Sequence, residues 1–217
     1  MVSAARTPAR NGRSAHPERV LGIDPAAAGA TGYAILETDP AKHNEFRVLH
    51  YGAARPARRA TPEMRLESIH RLVAGLLEEY LPGVLAVEAP FAALNLRSAL
   101  LLAEVRGVVL LAAAQRHVPV ESYSPREIKA SVAGYGQASK EQMQVMVRSQ
   151  LRLAELPEPH DAADALAVAL CHIHSQRARA RREAAVSTAP PNGHAADALH
   201  APAARRLGNA SRAARLR

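Results

Sequence analysis

The sequence predicts an α/β domain in which helices flank a mixed sheet of five strands. Short apolar runs alternate with longer stretches of helical spacing in the order βββαβαβααα. The first three runs follow one another at hairpin spacing, which predicts antiparallel strands. The later two runs are separated by helices, which is typical of a sheet that continues through crossover connections.

Turn and capping residues set the expected bounds of each element. The predicted strands cover residues 19–24, 32–37, 46–52, 83–88 and 119–123. The first helix begins at Thr61-Pro62 and ends at Pro82-Gly83, and a long apolar helix covers 94–116. Capping boxes at Ser124 and Ser139 open two shorter helices, which end near residues 134 and 153. Two prolines precede a last helix over about 160–174.

The composition excludes several classes of protein. The single cysteine, Cys171, leaves no disulfide framework and no cysteine-based zinc site. No apolar run approaches the about 20 residues that span a bilayer. The first residues lack the apolar stretch of a secretory signal. We therefore expect a cytoplasmic protein with no membrane partner.

The net charge of +8 is concentrated in the two terminal segments. Residues 1–19 have four arginines and one acid, and residues 176–217 have nine arginines and two acids, which leaves 20–175 at −2. We expect a disordered basic extension over 1–18, one folded domain over 19–175 and a disordered Ala/Arg-rich tail over 176–217. The tails are either appendages without a specific role or sites of loose electrostatic attraction to DNA.

Four acids are the candidate functional residues. Asp24 and Glu88 each end an apolar run, and the carboxyl ends of neighbouring parallel strands meet at one edge of a sheet. Asp161 and Asp164 are three residues apart among alanines, so they share one helix face with no cation nearby in sequence. Taken singly, each acid is equally compatible with an exposed strand end or an ordinary acidic first turn of a helix.

The combination of these acids favours a metal site. Like charges placed side by side destabilise a fold unless a cation or a proton compensates. Carboxylates without a histidine or cysteine set suit a hard ion such as Mg²⁺. A pair of such ions activates water and stabilises the leaving oxygen of a phosphodiester.

Three stretches, 20–33, 87–100 and 128–170, resemble the RuvC Holliday-junction resolvases of the RNase H-like superfamily. They contain an acid that ends the first strand, an acid followed by x-x-Phe, a K…GxGxAxK stretch and D-A-A-D-A-L. Each motif is weak alone, but the combination is specific and covers about 20–175. The resemblance implies an RNase H-like nuclease that acts as a homodimer, nicks two strands of four-way junction DNA in recombination and repair, and works with a branch-migration helicase.

The resemblance also assigns roles to residues. The four acids match the family's catalytic metal ligands, which implies two Mg²⁺ ions per site, with Mn²⁺ able to substitute. Lys129 and Lys140 match basic residues near the scissile phosphate, and Phe91 matches an aromatic residue at the junction centre. Residues nearby that we expect to touch phosphate or sugar are Asn95, Arg97 and Ser98.

Lysine is rare in this chain, which supports a special role for two of its members. Arginine supplies 25 of the 28 basic residues, and the lysines are Lys42, Lys129 and Lys140. A lysine offers a compact mobile charge with a removable proton, which arginine lacks. The alternative is that both are solvated helix residues, and that the Phe91 ring is packed beneath a loop.

The chain departs from the family pattern in a few places. Ala26 stands where the family usually has glycine, and the loop that follows Asp24 is one residue longer. His160 is a second candidate near the third acid, although Asp161 fits the register better. The segment 194–199 repeats the acidic motif within the tail, and we interpret it as low complexity.

Two other functions are compatible with parts of the sequence. The segment 22–31 can be read as the phosphate loop of an actin-like or sugar-kinase-like nucleotide-binding protein, but that fold needs two such domains. A DNA-binding relative without catalytic activity is the other alternative, and the presence of all four acids argues against it.

Overall fold

The computed structural model describes residues 17–27, 29–39, 45–90 and 95–188. The strands are β1 (Glu18–Asp24), β2 (Thr31–Thr38), β3 (Phe46–Ala54), β4 (Val84–Glu88) and β5 (Val120–Tyr123). The helices are α1 (Pro62–Tyr80), α2 (Leu96–Gln115), α3 (Pro125–Ala133), α4 (Lys140–Leu151) and α5 (His160–Thr188).

The five strands form one mixed sheet in the order β3-β2-β1-β4-β5. The first three strands are antiparallel neighbours, as their hairpin spacing predicts. The strands β1, β4 and β5 run parallel, with Ile23 opposite Val87 and Glu88 opposite Tyr123. This arrangement confirms the predicted mixed five-stranded sheet flanked by helices.

Each face of the sheet packs on its own layer of helices. Successive strand residues point to opposite faces, so Val20 belongs to the cluster formed with α3, α4 and α5. Leu21 and Ile23 belong to the cluster formed with α1 and α2. The two layers leave β1 and β4 buried on both faces, and these two strands end in the acids Asp24 and Glu88.

Helix α5 packs on the sheet at backbone distance because two strand residues lack a side chain. A Cβ atom added to Gly32 would lie 1.9 Å from the carbonyl oxygen of Asp161. A Cβ added to Gly22 would lie 2.4 Å from the carbonyl oxygen of Ala165. Glycine in these two strands therefore allows the first turns of α5 to lie directly over β1 and β2.

The last helix is longer than the sequence pattern predicts. It continues to Thr188 rather than ending near His174, because alanine and arginine, which dominate this segment, are strong helix formers without needing an apolar face. Arg177 also anchors it, since its Nη2 donates to Thr38 Oγ1 at 2.8 Å and its guanidinium lies 4.8 Å from the centre of the Phe46 ring. The helix thus crosses the expected boundary at 175/176, and the three-part division of the chain stays a prediction.

By its internal contacts the chain divides into two units, residues 1–179 and residues 180–217. The first contains the whole sheet and the helices packed on it. In the second, residues 180–188 are helical. Across the described ranges, no helix is long and apolar enough to span a bilayer.

Candidate active site

Two of the predicted site residues end neighbouring parallel strands. Asp24 is the last residue of β1 and Glu88 is the last residue of β4. In the β1–β4 register Ile23 lies opposite Val87, so the next position on each strand is one of these acids. Both are partly buried at the carboxyl edge of the sheet, which is where α/β folds place their ligands.

The other two acids reach the same edge through α5. Asp161 and Asp164 lie in the first two turns of this helix and are partly buried. The close contact of the Asp161 backbone with Gly32 places this end of α5 beside the end of β1, because Gly32 is the register partner of Asp24. The side-chain amide of Gln144 on α4 donates to the carbonyl oxygen of Pro157 at 3.3 Å and anchors the loop that leads into α5.

The pKa values show that the four acids share one electrostatic environment. Burial, followed by the charges of Glu88, Asp164 and Asp161, raises the pKa of Asp24 well above its usual range. Burial and the charge of Asp164 raise the pKa of Glu88 to about 7. Burial likewise raises the pKa of Asp164, and the charge of Asp161 adds to that rise. The structure therefore brings the four predicted acids together.

Two lysines oppose this accumulation of negative charge. The charge of Lys140 opposes the rise in the pKa of Asp24, Glu88 and Asp164. The charge of Lys129 opposes the rise in the pKa of Glu88 and Asp164. Lys129 lies in α3, and Lys140 is the first residue of α4. A cation at the start of a helix is disfavoured by the helix dipole. The start of α4, where Lys140 lies, is stabilised by a capping box in which the Ser139 and Gln142 side chains each accept from the other's backbone N–H group.

The donor chemistry of this site suits a divalent cation. Four carboxylates meet at this edge, and burial together with neighbouring negative charge raises the pKa of three of them. A hard, oxygen-binding ion stabilises such a group. Over the described part of the chain, no three His, Cys, Asp or Glu side chains already have the spacing of a closed metal site. The acids thus fit a metal by their chemistry, although their side chains do not stand at metal-binding spacing in this structure.

The remaining predicted residues lie at the starts of α2 and α5 or outside the described ranges. Asn95 is the N-cap of α2, where its Oδ1 accepts from the Ser98 backbone N–H at 2.9 Å. Arg97 is exposed on the first turn of the same helix, and Phe91 lies outside the described residues. His160 begins α5, and its charge opposes the rise in the pKa of Asp164 that burial causes. The DNA contacts expected of these residues stay predictions.

Two arginines that the sequence analysis did not identify donate to backbone carbonyl groups near the acids. Arg65 on α1 donates from Nη2 to the carbonyl oxygen of Ala27, in the loop after Asp24, at 3.0 Å. Arg106 on α2 donates from Nη1 to the carbonyl oxygen of Glu88 at 3.3 Å and from Nη2 to Ser122 Oγ at 2.8 Å. The signal in the sequence that points to Arg106 is a charged residue in the middle of the largely apolar α2 sequence.

Comparisons with known proteins agree with this geometry. The family model described as crossover junction endodeoxyribonuclease RuvC matches residues 20–172. A crossover junction endodeoxyribonuclease RuvC from Dehalococcoides mccartyi is 49% identical over 160 residues, which cover 74% of this chain and 93% of that protein.

Solved structures of the same family share the fold. The Thermus thermophilus RuvC structure has a TM-score of 0.68 and 34% sequence identity, with 74% of this chain and 96% of that chain covered. The structure of T. thermophilus RuvC in complex with Holliday junction substrate has a TM-score of 0.70 and 33% identity, with coverages of 75% and 96%. These matches confirm the predicted RNase H-like fold and argue against the nucleotide-binding alternative. The chain belongs to the RuvC family of crossover junction endodeoxyribonucleases.

Proposed function

We propose that this chain resolves Holliday junctions in DNA recombination and repair by metal-dependent hydrolysis of phosphodiester bonds. The observation that supports this most directly is the gathering of four carboxylates and two lysines at one edge of the sheet. The T. thermophilus relative of matching fold was solved with Holliday junction substrate. Four-way junction DNA is accordingly the proposed substrate.

In the proposed mechanism, Asp24, Glu88, Asp161 and Asp164 hold two Mg²⁺ ions, for which Mn²⁺ substitutes. When bound by these carboxylates, such ions would supply a water of lowered pKa and would stabilise the leaving 3′ oxygen. Lys129 and Lys140 stabilise the charge that develops on the scissile phosphate. Phe91 contacts the bases at the junction centre, while Asn95 and Arg97 contact the backbone.

We also propose that two copies act together through α2. Outward-facing residues of this helix recur at alternating spacings of four and three, as in a helix–helix seam: Leu96, Leu100, Ala103, Gly107, Leu110 and Ala114. Leu96 is 76% exposed and Leu100 is 57% exposed, although both are large apolar side chains. A Cβ added to Gly107 would meet nothing within 4 Å, so the middle of this stripe is open to a second helix.

A two-fold dimer fits the proposed substrate, because an isologous pair presents two equal sites to a junction that approaches two-fold symmetry. Each site would nick one strand. A branch-migration helicase complex, which would move the junction to a cleavable position, is the proposed further partner. The proposed compartment is the cytoplasm.

The test of this function is cleavage of a synthetic four-way junction with labelled strands. In Mg²⁺ we expect paired nicks at symmetric positions in two strands of like polarity, and in EDTA we expect binding without nicks. A linear duplex of the same sequence is the control and should stay intact. Binding without cleavage in Mg²⁺ and in Mn²⁺ would instead favour a non-catalytic DNA-binding relative.

A further inference from the structure

The carbonyl group of Glu88 lacks the hydrogen-bond donor that a parallel ladder normally provides. Leu85 and Ala89 of the β4 segment donate to the carbonyl oxygens of Pro119 and Tyr123 on the β5 side, at 2.9 and 2.8 Å. Alternate residues of a strand face opposite neighbours, so the Glu88 carbonyl faces the β1 side. In the parallel register, the donor to this carbonyl would be the residue that follows Asp24. That residue is Pro25, which has no N–H group.

Arg106 donates to the Glu88 carbonyl in place of the missing backbone N–H group. Its Nη1 donates to the Glu88 carbonyl oxygen at 3.3 Å, and its Nη2 donates to Ser122 Oγ on β5 at 2.8 Å. One planar guanidinium thus connects the ends of two adjacent strands to α2. Because both donors belong to one rigid group, the arginine fixes the Glu88 carbonyl group relative to Ser122, in addition to the ladder hydrogen bond from Ala89 to Tyr123.

The surroundings of Arg106 indicate that this contact is its main role. Its side chain is partly buried, and burial lowers its pKa. Among the ion pairs of the described residues, none involves Arg106, so its acceptors here are neutral oxygens. Partial burial of a cation without a carboxylate partner costs free energy. Such a cost is expected where the position of the neighbouring backbone matters.

We propose that Arg106 is a positioning residue that directs the Glu88 carboxylate toward the other acids by fixing the backbone at the end of β4. The proposal rests on the function proposed above only in treating Glu88 as a metal ligand. Glu88 is the last residue of β4, so the backbone at this point sets the direction of its carboxylate. Without the Arg106 hydrogen bond, the Glu88 carboxylate rotates away from the position shared with Asp24.

The test measures Mn²⁺ binding to the DNA-free dialysed protein by calorimetry, so that it does not depend on cleavage. Arg106→Met keeps an unbranched apolar stem and removes all donors. It should weaken Mn²⁺ affinity about 10-fold, which is the scale expected when a metal ligand is deprived of an outer-shell partner. Glu88→Gln should weaken it at least as much, and the double variant should be no weaker than Glu88→Gln alone. Arg106→Lys, which retains one donor, should recover part of the affinity.

Arg116→Met is the matched control, because Arg116 is the C-cap of the same helix and pairs with Glu78 away from the acids. It should bind Mn²⁺ as the wild type does. If Arg106→Met fails to fold, Ser122→Ala removes one of the two anchors and should shift Mn²⁺ affinity in the same direction by about 3-fold, a fraction of the full effect.

Three outcomes would overturn the proposal. Unchanged Mn²⁺ affinity in Arg106→Met would show that the hydrogen bond does not position Glu88. Additive losses in the double variant would show that Arg106 acts independently of Glu88. Weaker junction affinity with intact Mn²⁺ binding would make Arg106 a phosphate-binding residue. Failure of the wild type to cleave junctions would instead refute the proposed function, and this calorimetric comparison would remain valid.

Discussion

Burial and the neighbouring acids raise the pKa of Glu88 to about 7, and they raise the pKa of Asp24 as well. A raised carboxyl pKa means that the folded state prefers the protonated form. The metal-free fold therefore gains stability from these groups in acid and loses it as the pH rises through 7. A bound divalent cation removes the cost, which couples metal binding to folding at this edge.

This coupling predicts a pH dependence of stability in the metal-free protein. With EDTA present, the free energy of unfolding should fall between pH 5 and pH 8, because Glu88 must ionise within the fold over this interval. Glu88→Gln should flatten that fall, as measured by urea denaturation at several pH values. The control is Glu155→Gln at an exposed position. An equal pH dependence in wild type and Glu88→Gln would contradict the raised pKa.

The acids also predict a separation of cleavage from binding. Asp24→Asn, Glu88→Gln, Asp161→Asn and Asp164→Asn should each abolish cleavage, since each removes a proposed metal ligand. Junction affinity should be preserved or improved, because each variant removes a negative charge beside a polyanion. Single-turnover cleavage and gel-shift binding measure the two quantities. Full activity in two of the four variants would refute the assignment.

The two lysines are expected to act in the chemical step and only weakly in binding. Lys129→Ala and Lys140→Ala should each lower the single-turnover rate about 10²-fold, the scale on which removal of one electrostatic donor slows an active site. Junction affinity should fall much less, because one phosphate contact among many contributes modestly. Arg148→Ala, an exposed position later on α4, is the matched control. Wild-type rates at saturating junction would make both lysines binding residues only.

At the scale of secondary structure, local patterns in the sequence predicted the elements well. The strands, the capping boxes at Ser124 and Ser139 and the starts of the helices follow from spacing, proline and hydrogen-bonding side chains, which are local causes. The grouping of the acids also followed, because parallel strand ends meet at one edge. The end of α5 did not, since a helix without an apolar face has no periodic signal to mark where it stops.

The contact of α5 with the sheet is a tertiary feature that no local pattern indicates. Gly22 and Gly32 occur in strands, where glycine alone predicts only weak pairing. Their role becomes visible only when Asp161 and Ala165 lie on them at backbone distance. The same holds for Arg106, whose acceptor on β4 is 18 residues away in sequence. Sequence reasoning therefore found the proposed metal ligands but not the glycines and the arginine that contact the backbone beside them.

Gly32→Ala tests this contact directly. The added Cβ would lie 1.9 Å from the Asp161 carbonyl oxygen, which is backbone and cannot turn aside, so the first turn of α5 must shift. Because Asp161 and Asp164 lie in that part of the helix, cleavage should fall at least about 10²-fold, as a displacement of about 1 Å at an active site does.

Gly75→Ala is the control for that variant. Gly75 lies inside α1, and a Cβ there would meet nothing within 4 Å. It should leave cleavage unchanged and raise the free energy of unfolding by roughly 0.5–1 kcal/mol, because alanine is the better helix residue. Normal cleavage by Gly32→Ala, with thermal unfolding measured alongside, would show that α5 does not need its backbone contact to position the acids.

At the scale of the whole molecule, the charge is distributed so that the domain and the terminal segments act differently on DNA. Residues 20–175 have a net charge of −2. The four site acids contribute −4 to this sum, and the other residues of the segment contribute +2. Neutralising these acids with divalent ions makes the domain weakly attractive to a polyanion, whereas the metal-free domain is weakly repulsive. We therefore expect strong nonspecific attraction to DNA to come from the arginines of the terminal segments.

The final prediction follows from that distribution. A chain of residues 17–188 retains every described element and lacks eight arginines, three before residue 17 and five after residue 188. It should cleave junctions at the wild-type single-turnover rate when saturated. Its affinity should be lower at low salt, and its plot of log affinity against log salt should be shallower by about 0.9 for each phosphate that is no longer neutralised by an arginine.

The matched control is the full-length chain with those eight arginines changed to glutamine, which keeps the length and removes the charge. If the terminal segments act through charge, this variant should show the same shallow salt dependence as residues 17–188. A shallow dependence in the truncated chain alone would indicate a contribution from length or from uncharged contacts. An unchanged dependence in both would show that the terminal arginines do not contact DNA, and that junction affinity resides in the domain despite its small net charge.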